Sequence, residues 1–468
     1  MEYLDNFKKQ RSLFIFKQLL RLYDATFIVL DPVYDNTQPS KSTEKTIFNI
    51  IFQDSMLKLV PHTVDGTMLD FKSTVKTMVN VVVGRLLPIS TYKFVNELDY
   101  INIMKSVDFK VEPRTLSSRQ LFNSQLDIYY GYGLVSKKEN KYVIDTQYLK
   151  TFEIRKGYSN LDCIVYLNDK LQFEYCEING VKRLDDLAIR ECITAMTTIG
   201  TIEKHLFEIH LLISDKFNSF LNQMNKSNPI YRLLIPVTND PYSINEFGSI
   251  SLLGKRGICS FYNLTRKGLK QYYKYTKQNF KIRDLLIPKD IKGDSTIHAH
   301  QHLWFNCIRN FVSEFLSIQP DLQCNDFLDV LKDSYSGIYD ETKSKLENVI
   351  DICAMMLYSN IMHECYSNSS RNKLVMNPYI VSSTWKKNNS SNVSDKINTL
   401  SEQITINLLA YATSLEAIRM DDKRWINICC VNKEEKRIYK KYRNSISKLD
   451  IHENAILHPK NISSSVSY

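Results

Sequence analysis

Two histidines in the string His205-Leu-Phe-Glu-Ile-His210 are the residues whose type and spacing most invite a chemical reading. Imidazole is a common transition-metal ligand and carries protons near neutral pH. In a regular α-helix, five positions at about 100° each turn the second side chain by about 140°, so the two rings could not meet at one ion. A π-helical turn would bring them together, and such turns occur mostly at functional sites. The pair alone leaves two readings: a metal-binding π-turn, or two unrelated helix histidines, one in the core and one at the surface.

Other candidate donors lie farther on. Between 338 and 377 there is no Gly or Pro, and Val349, Ile350, Ile352, Cys353, Met356, Leu357, Ile361 and Met362 make the stretch apolar on nearly every side. A helix greasy all round is expected to be buried. His363 stands near its end with Ser367 one turn on, on the same face. A buried histidine is costly unless it is hydrogen-bonded or bound to a metal. His298, His300 and His302 alternate in sequence and would share one face of a strand. They precede the helix-like stretch 303–318, so a solvated place at a helix start is the expectation for them.

The elements that must position these residues can be read coarsely. From Asp185 to Lys226 the one helix breaker is Gly200, and apolar residues recur at three and four from Ile189 to Phe217, which predicts one long buried helix. Before it, 161–179 reads as a hairpin turning at Asn168-Asp169. After it comes Asn228-Pro-Ile-Tyr-Arg-Leu-Leu-Ile-Pro236, an apolar segment bracketed by prolines, then Ile244-Asn245 and a helical stretch to Leu253. Residues 261–295 are basic and polar, and 385–396 form a polar loop. Two further helices are expected at about 400–420 and 434–449. Residues 1–24 have the spacing of an amphipathic helix and lack the apolar core of a signal peptide. Apolar runs within 25–160 do not decide between strand and helix.

With 13 Gly and 12 Pro in 468 residues, long helices should dominate. We expect a mainly α fold, a large helical domain with long buried core helices and small β hairpins. Residues 1–150 would form an N-terminal lobe and 151–468 the helical core. No apolar run reaches the roughly 18 residues that span a bilayer. Ten cysteines without a CxxC suggest reduced thiols and a cytoplasmic location. The formal charge of +10 favours an anionic membrane surface or an acidic ligand, so peripheral membrane contact is an expectation. The lysines are dispersed, with no basic tract interleaved with aromatics, which argues against nucleic acid.

Taken in order, these landmarks resemble a lipoxygenase. The family's core helix carries HxxxxH on a π-turn, followed at fixed intervals by a segment of the type HPxxKLLxPH and an IN motif. Here His205 and His210, residues 228–236 and Ile244-Asn245 join them in a gapless reading. The family's second metal helix ends in a histidine whose i+4 neighbour is Asn, His or Ser, matched by His363 and Ser367. Its chain end is of the type PNSVSI, and this chain closes on Ser465-Val-Ser-Tyr468. The resemblance covers 160–468 well and 95–160 faintly. Gly200 replaces a third, non-ligand histidine, Val237 the histidine after the proline, and Ser249 an arginine after the IN motif. No proposed ligand atom is lost by these departures, yet they thin the shell that orients ligands. The N-terminal β-sandwich of the family has no counterpart in the strand spacing here.

The resemblance implies a non-haem iron, or manganese, held by His205, His210, His363, the carboxylate of Tyr468 and a weak oxygen ligand at Ser367. It implies hydrogen abstraction at a bis-allylic methylene of a polyunsaturated, linoleate- or arachidonate-like fatty acid and addition of O2. A lipoxygenase-fold protein that binds lipid or a partner without turnover is the second implied reading. Counting three beyond Asn245 gives Gly248, the position beside the channel where, in the resembling enzymes, glycine goes with R products and alanine with S. Removing a methyl group there makes room for O2 at the other end of the pentadienyl radical. The expected product is an R hydroperoxide, shifted toward S at another carbon by Gly248→Ala. Chiral analysis of both proteins checks this, and an S product insensitive to the added methyl leaves Gly248 a packing role.

Overall fold

The computed structural model describes residues 116–213, 227–234, 262–281, 296–319, 339–375, 429–453 and 455–459, with isolated positions between them. The expectations for 1–24, for the apolar runs before 116, for 244–253, 385–396 and 400–420 lie outside the described residues, as do Gly248 and Tyr468. The described chain is mainly helical with one small antiparallel sheet.

Helix α1 (Ser118–Gly131) starts on a capping box: Ser117 Oγ accepts from the Gln120 amide, and the Gln120 side chain accepts from the Ser117 amide at 2.9 Å. A meander follows: β1 (Ser136–Lys138), β2 (Lys141–Asp145), β3 (Cys163–Leu167), β4 (Phe173–Ile178) and β5 (Val181–Arg183), paired in sequence order. The expected hairpin is thus β3 and β4, joined across 168–172, where Asn168 Oδ1 accepts from the Lys170 and Gln172 amides. The sequence reading stopped at two strands. β5 is added by a two-residue turn with Asn179 and Gly180 both at positive φ, the geometry of an Asn-Gly hairpin.

Helix α2 (Asp186–Thr198) packs on β3 and β4 and is capped by Asp185, whose side chain accepts from the Ala188 amide. Without a break it becomes a π-helical segment, Ile199–Ile213. The long helix expected from 185 is therefore present through Ile213, but its second half is wound wider than an α-helix. Among the described residues α3 (Arg266–Asn279), α4 (Thr296–Ser317) and α5 (Lys345–Val375) follow, and then α6 (Lys433–Ile446) close to its predicted place. α5 is buried on every side from Ile352 to Ser359, as its composition requires. His298, His300 and His302 lie on α4, where alternate positions diverge; His300 is buried and His302 exposed, so the solvated placement holds for only part of the trio.

The core lies where α5 and α3 both pack against the π segment while α4 packs against α5 and α6. Phe311 of α4 stacks on Tyr442 of α6 at 4.3 Å, and Trp304 Nε1 donates to the Leu457 carbonyl at 2.8 Å. One buried ion pair ties distant parts together. Arg232, in the helical turn 229–234, makes two 2.9 Å bonds to the Glu435 carboxylate and donates to the Cys429 carbonyl at 2.6 Å. Glu435 also accepts from the Val431 amide and from Gln319. Burial opposes its charge, but Arg232 and the other donors outweigh that and hold its carboxyl below the usual range.

A carboxyl with a depressed folded pKa contributes stability above its unfolded value of about 4.3 and loses it as the pH falls through the folded one. Arg232→Met leaves the buried Glu435 without its cation, with only the Val431 amide and Gln319 as donors to its carboxylate, and should cost about 3–5 kcal/mol near pH 7. The difference from the unaltered protein should shrink below about pH 4. Urea unfolding of both proteins at the two pH values checks it.

Candidate metal centre

The π segment brings the two histidines together. Each N–H in such a segment bonds to the carbonyl five residues back, so side chains five apart return to the same side of the helix. Gly200, His205 and His210 form one such row. His205 and His210 are 2 % and 0 % exposed, their rings meet edge to face at 4.6 Å, and their Nε2 atoms are 3.1 Å apart. The reading of one core and one surface histidine is overturned: both are core.

The 3.1 Å separation admits two states. One Nε2–H can donate to the other Nε2, or both nitrogens can face one cation. Two nitrogens about 2.1 Å from an ion, at right angles to each other, stand about 3.0 Å apart, so this pair already has the spacing of two adjacent ligands. Neutral imidazole suits a transition ion, and burial removes competing water. To this extent the residues present fit a metal. His363 and Ser367 lie on α5, which packs against the π segment, but their side chains are outside the described ones. Among the described residues no group of three or more His, Cys, Asp or Glu forms a metal-holding cluster.

Gly200, where the resemblance replaces a histidine, is not forced by crowding, since an added Cβ would meet Tyr132 Cε2 at an ordinary 3.5 Å. Closer contact occurs at Gly131, whose Cβ would fall 2.4 Å from the ring of Tyr366, three residues beyond His363. Tyr366 is fully buried, and its hydroxyl accepts from Gln301 at 2.5 Å. Thus a bare Cα at the end of α1 lets α5 sit where it does.

The opposite side of the π segment carries a polar network that the sequence reading missed. Glu203 Oε2 accepts from the hydroxyls of Tyr148 at 2.5 Å and of Tyr272, on α3, at 2.6 Å. Lys204 Nζ lies 2.6 Å from Glu208 Oε1 and 3.4 Å from Glu203 Oε1. Burial works against the lysine's charge, yet the Glu208 and Glu203 carboxylates raise its pKa above the ordinary value. Burial, then Glu203, keeps both phenols protonated well beyond the usual range. The signal was in plain view, because Glu203 and Glu208 have the same five-residue spacing as the histidines.

No protein-family model and no curated protein matches this sequence. Solved structures do. The delta413-417:GS LOX, determined anaerobically in complex with arachidonate, superposes with a TM-score of 0.62 at 12% identity, over 92% of this chain and 82% of that one. The coral 8R-lipoxygenase gives 0.60 at 12%, with the same coverage. The lipoxygenase from Fusarium graminearum gives 0.58 at 13%, over 97% of this chain and 90% of its own. The fold is therefore lipoxygenase-like and corresponds to the helical catalytic domain of those proteins.

If the two imidazoles are adjacent ligands, replacing either removes half of the described donor set. His205→Ala and His210→Ala should each lower Co(II) affinity at least 100-fold, measured by competition with a chelator. Affinity within threefold of the unaltered protein, about 0.7 kcal/mol, would show that the pair is only a hydrogen bond.

Proposed function

We propose that this protein is a metal-dependent lipoxygenase that oxygenates a polyunsaturated fatty acid. The observation that carries the reading is the buried Nε2 pair of His205 and His210 at 3.1 Å on a π-helical segment inside a lipoxygenase-like fold. The arachidonate held by one structural neighbour supports a fatty acid as substrate. In this reading His205, His210 and His363 supply imidazole, Ser367 a weak oxygen, and Tyr468 its terminal carboxylate. Iron is the ion the resemblance favours, with manganese as the alternative. Such a centre, when bound, supplies one-electron oxidation of a bis-allylic methylene.

The chain's own part is positioning and exclusion. Both histidines must be neutral with Nε2 unprotonated, so loading the site requires the tautomer in which each ring carries its one proton on Nδ1. The apolar residues beside them in the segment, Leu206, Phe207, Ile209 and Leu211, keep water from the site, as radical and hydroperoxide chemistry requires. Gly248 is assigned to the channel wall, where the missing methyl group leaves room for O2 at the other end of the pentadienyl radical. The chain is proposed to work in the cytoplasm with peripheral contact to the membrane that holds its substrate.

Metal analysis and substrate addition test this together. We expect one iron per chain and a rise in conjugated-diene absorbance with linoleate or arachidonate. Iron without diene formation would favour the reading in which the fold binds lipid or a partner without turnover. No iron or manganese uptake would sink the metal reading. Adding one residue after Tyr468 displaces the carboxylate and should abolish iron binding; an extended protein with unchanged iron and turnover removes Tyr468 from the ligand set.

A further inference from the structure

The π segment holds two pairs of buried polar residues at the spacing of five, His205 with His210 and Glu203 with Glu208. Residues two apart lie on nearly opposite sides of so wide a helix, so the two rows face away from each other. Glu203 meets Tyr272 of α3, which turns the histidine row away from α3. In an α-helical register both pairs would be splayed by about 140°. In the π register both converge. For the histidines convergence builds a site; for the glutamates it brings two like charges together at 9 % and 4 % exposure. Lys204 stands between them and reaches both.

We propose that Lys204 is a built-in cation that clamps Glu203 and Glu208, and that this clamp holds the register in which His205 and His210 meet before any metal arrives. Lys204, Glu203 and Glu208 are positioning residues, and the link to a metal rests on the proposed function above. The coupling is geometric. Without the ammonium, two buried carboxylates face each other, and the winding that separates them also separates the histidines. The clamp is tied to its surroundings because the second oxygen of Glu203 is held by Tyr148 and Tyr272. Each Glu203 oxygen therefore has its own task, one toward the lysine and one toward the phenols of neighbouring elements. That arrangement fixes the rotation of the segment as well as its pitch.

The test compares Lys204→Met with Lys204→Arg in the full chain. Two readouts are taken: the through-space contact between the two imidazoles in metal-free, histidine-labelled protein by NMR, and Co(II) affinity by chelator competition. Lys204→Met should lose the imidazole contact and bind Co(II) about 10–100-fold more weakly. Lys204→Arg, whose fork can serve both carboxylates, should keep the contact and stay within about threefold. A Lys204→Met protein with the contact intact and unchanged affinity overturns the clamp, as does a metal-free unaltered protein whose imidazoles are apart. Should Lys204→Met fail to fold, Lys204→Gln, which keeps a polar head but no charge, should likewise lose the contact and weaken Co(II) binding, and the same two readouts decide. Unaltered protein that binds no Co(II) but loses its imidazole contact on Lys204→Met refutes the metal reading and leaves the clamp standing.

Discussion

The i→i+5 hydrogen-bond register of residues 199–213 is the constraint on which the rest depends. A π-helix is rarely longer than one turn because its backbone geometry is poorer than that of an α-helix. Fifteen residues of it persist here only because the surroundings stabilise them. Twelve of the fifteen side chains are buried, and eight of those, among them Ile199, Ile202, Leu206, Phe207, Ile209 and Leu211, are apolar, so their removal from water stabilises the segment. Two packed helices flank the segment, α3 on the glutamate side and α5, the helix that carries His363.

Those flanking helices are themselves placed by close backbone approaches. Gly131 lets the end of α1 meet the Tyr366 ring of α5, and Gly268, capped by Thr265, lies so near the Glu153 carbonyl that a Cβ would be 2.0 Å from it. Neither contact tolerates a side chain, so α3 and α5 are held at fixed distances from the meander and α1. The Arg232 and Glu435 pair does the same for the turn after the π segment, joining it to the start of α6. Buried pairs of this kind often add little net stability over apolar packing. Their effect is registry: one partner geometry satisfies both charges, and slipped alternatives leave a charge unpaired.

Much of this was legible in the sequence because it is periodic or local. The all-round apolar composition of 349–362 announced a buried helix, and the five-residue histidine spacing announced a choice between π-turn and coincidence. Other features were not legible. Lys137 and Lys182 sit in three-residue edge strands too short to show alternation. The solvated helix start expected for His298, His300 and His302 missed the burial of His300, because two-residue spacing carries no information about which face of a helix is covered. Arg232 and Glu435 are 203 positions apart, and nothing local marks them as partners. Glu203 and Glu208 share the spacing of the histidines but carried no reading of their own, since sequence alone does not show which internal partners a buried charge will find.

That last failure points to a general property of such a segment. A helix that is buried all round and carries an imidazole row on one face cannot leave its other polar residues to water. Each charge needs an internal partner, and the partner must lie at the spacing that the winding imposes. The same winding that makes a two-imidazole site possible therefore dictates where its counter-charges go. In this chain the imidazole row is followed around the helix by a carboxylate row of identical spacing, with one ammonium between the carboxylates and two phenols behind. In this lipoxygenase-like fold, where Gly200 adds no side chain to the imidazole row, the register is held from the opposite side, by the partners of Glu203 and Glu208.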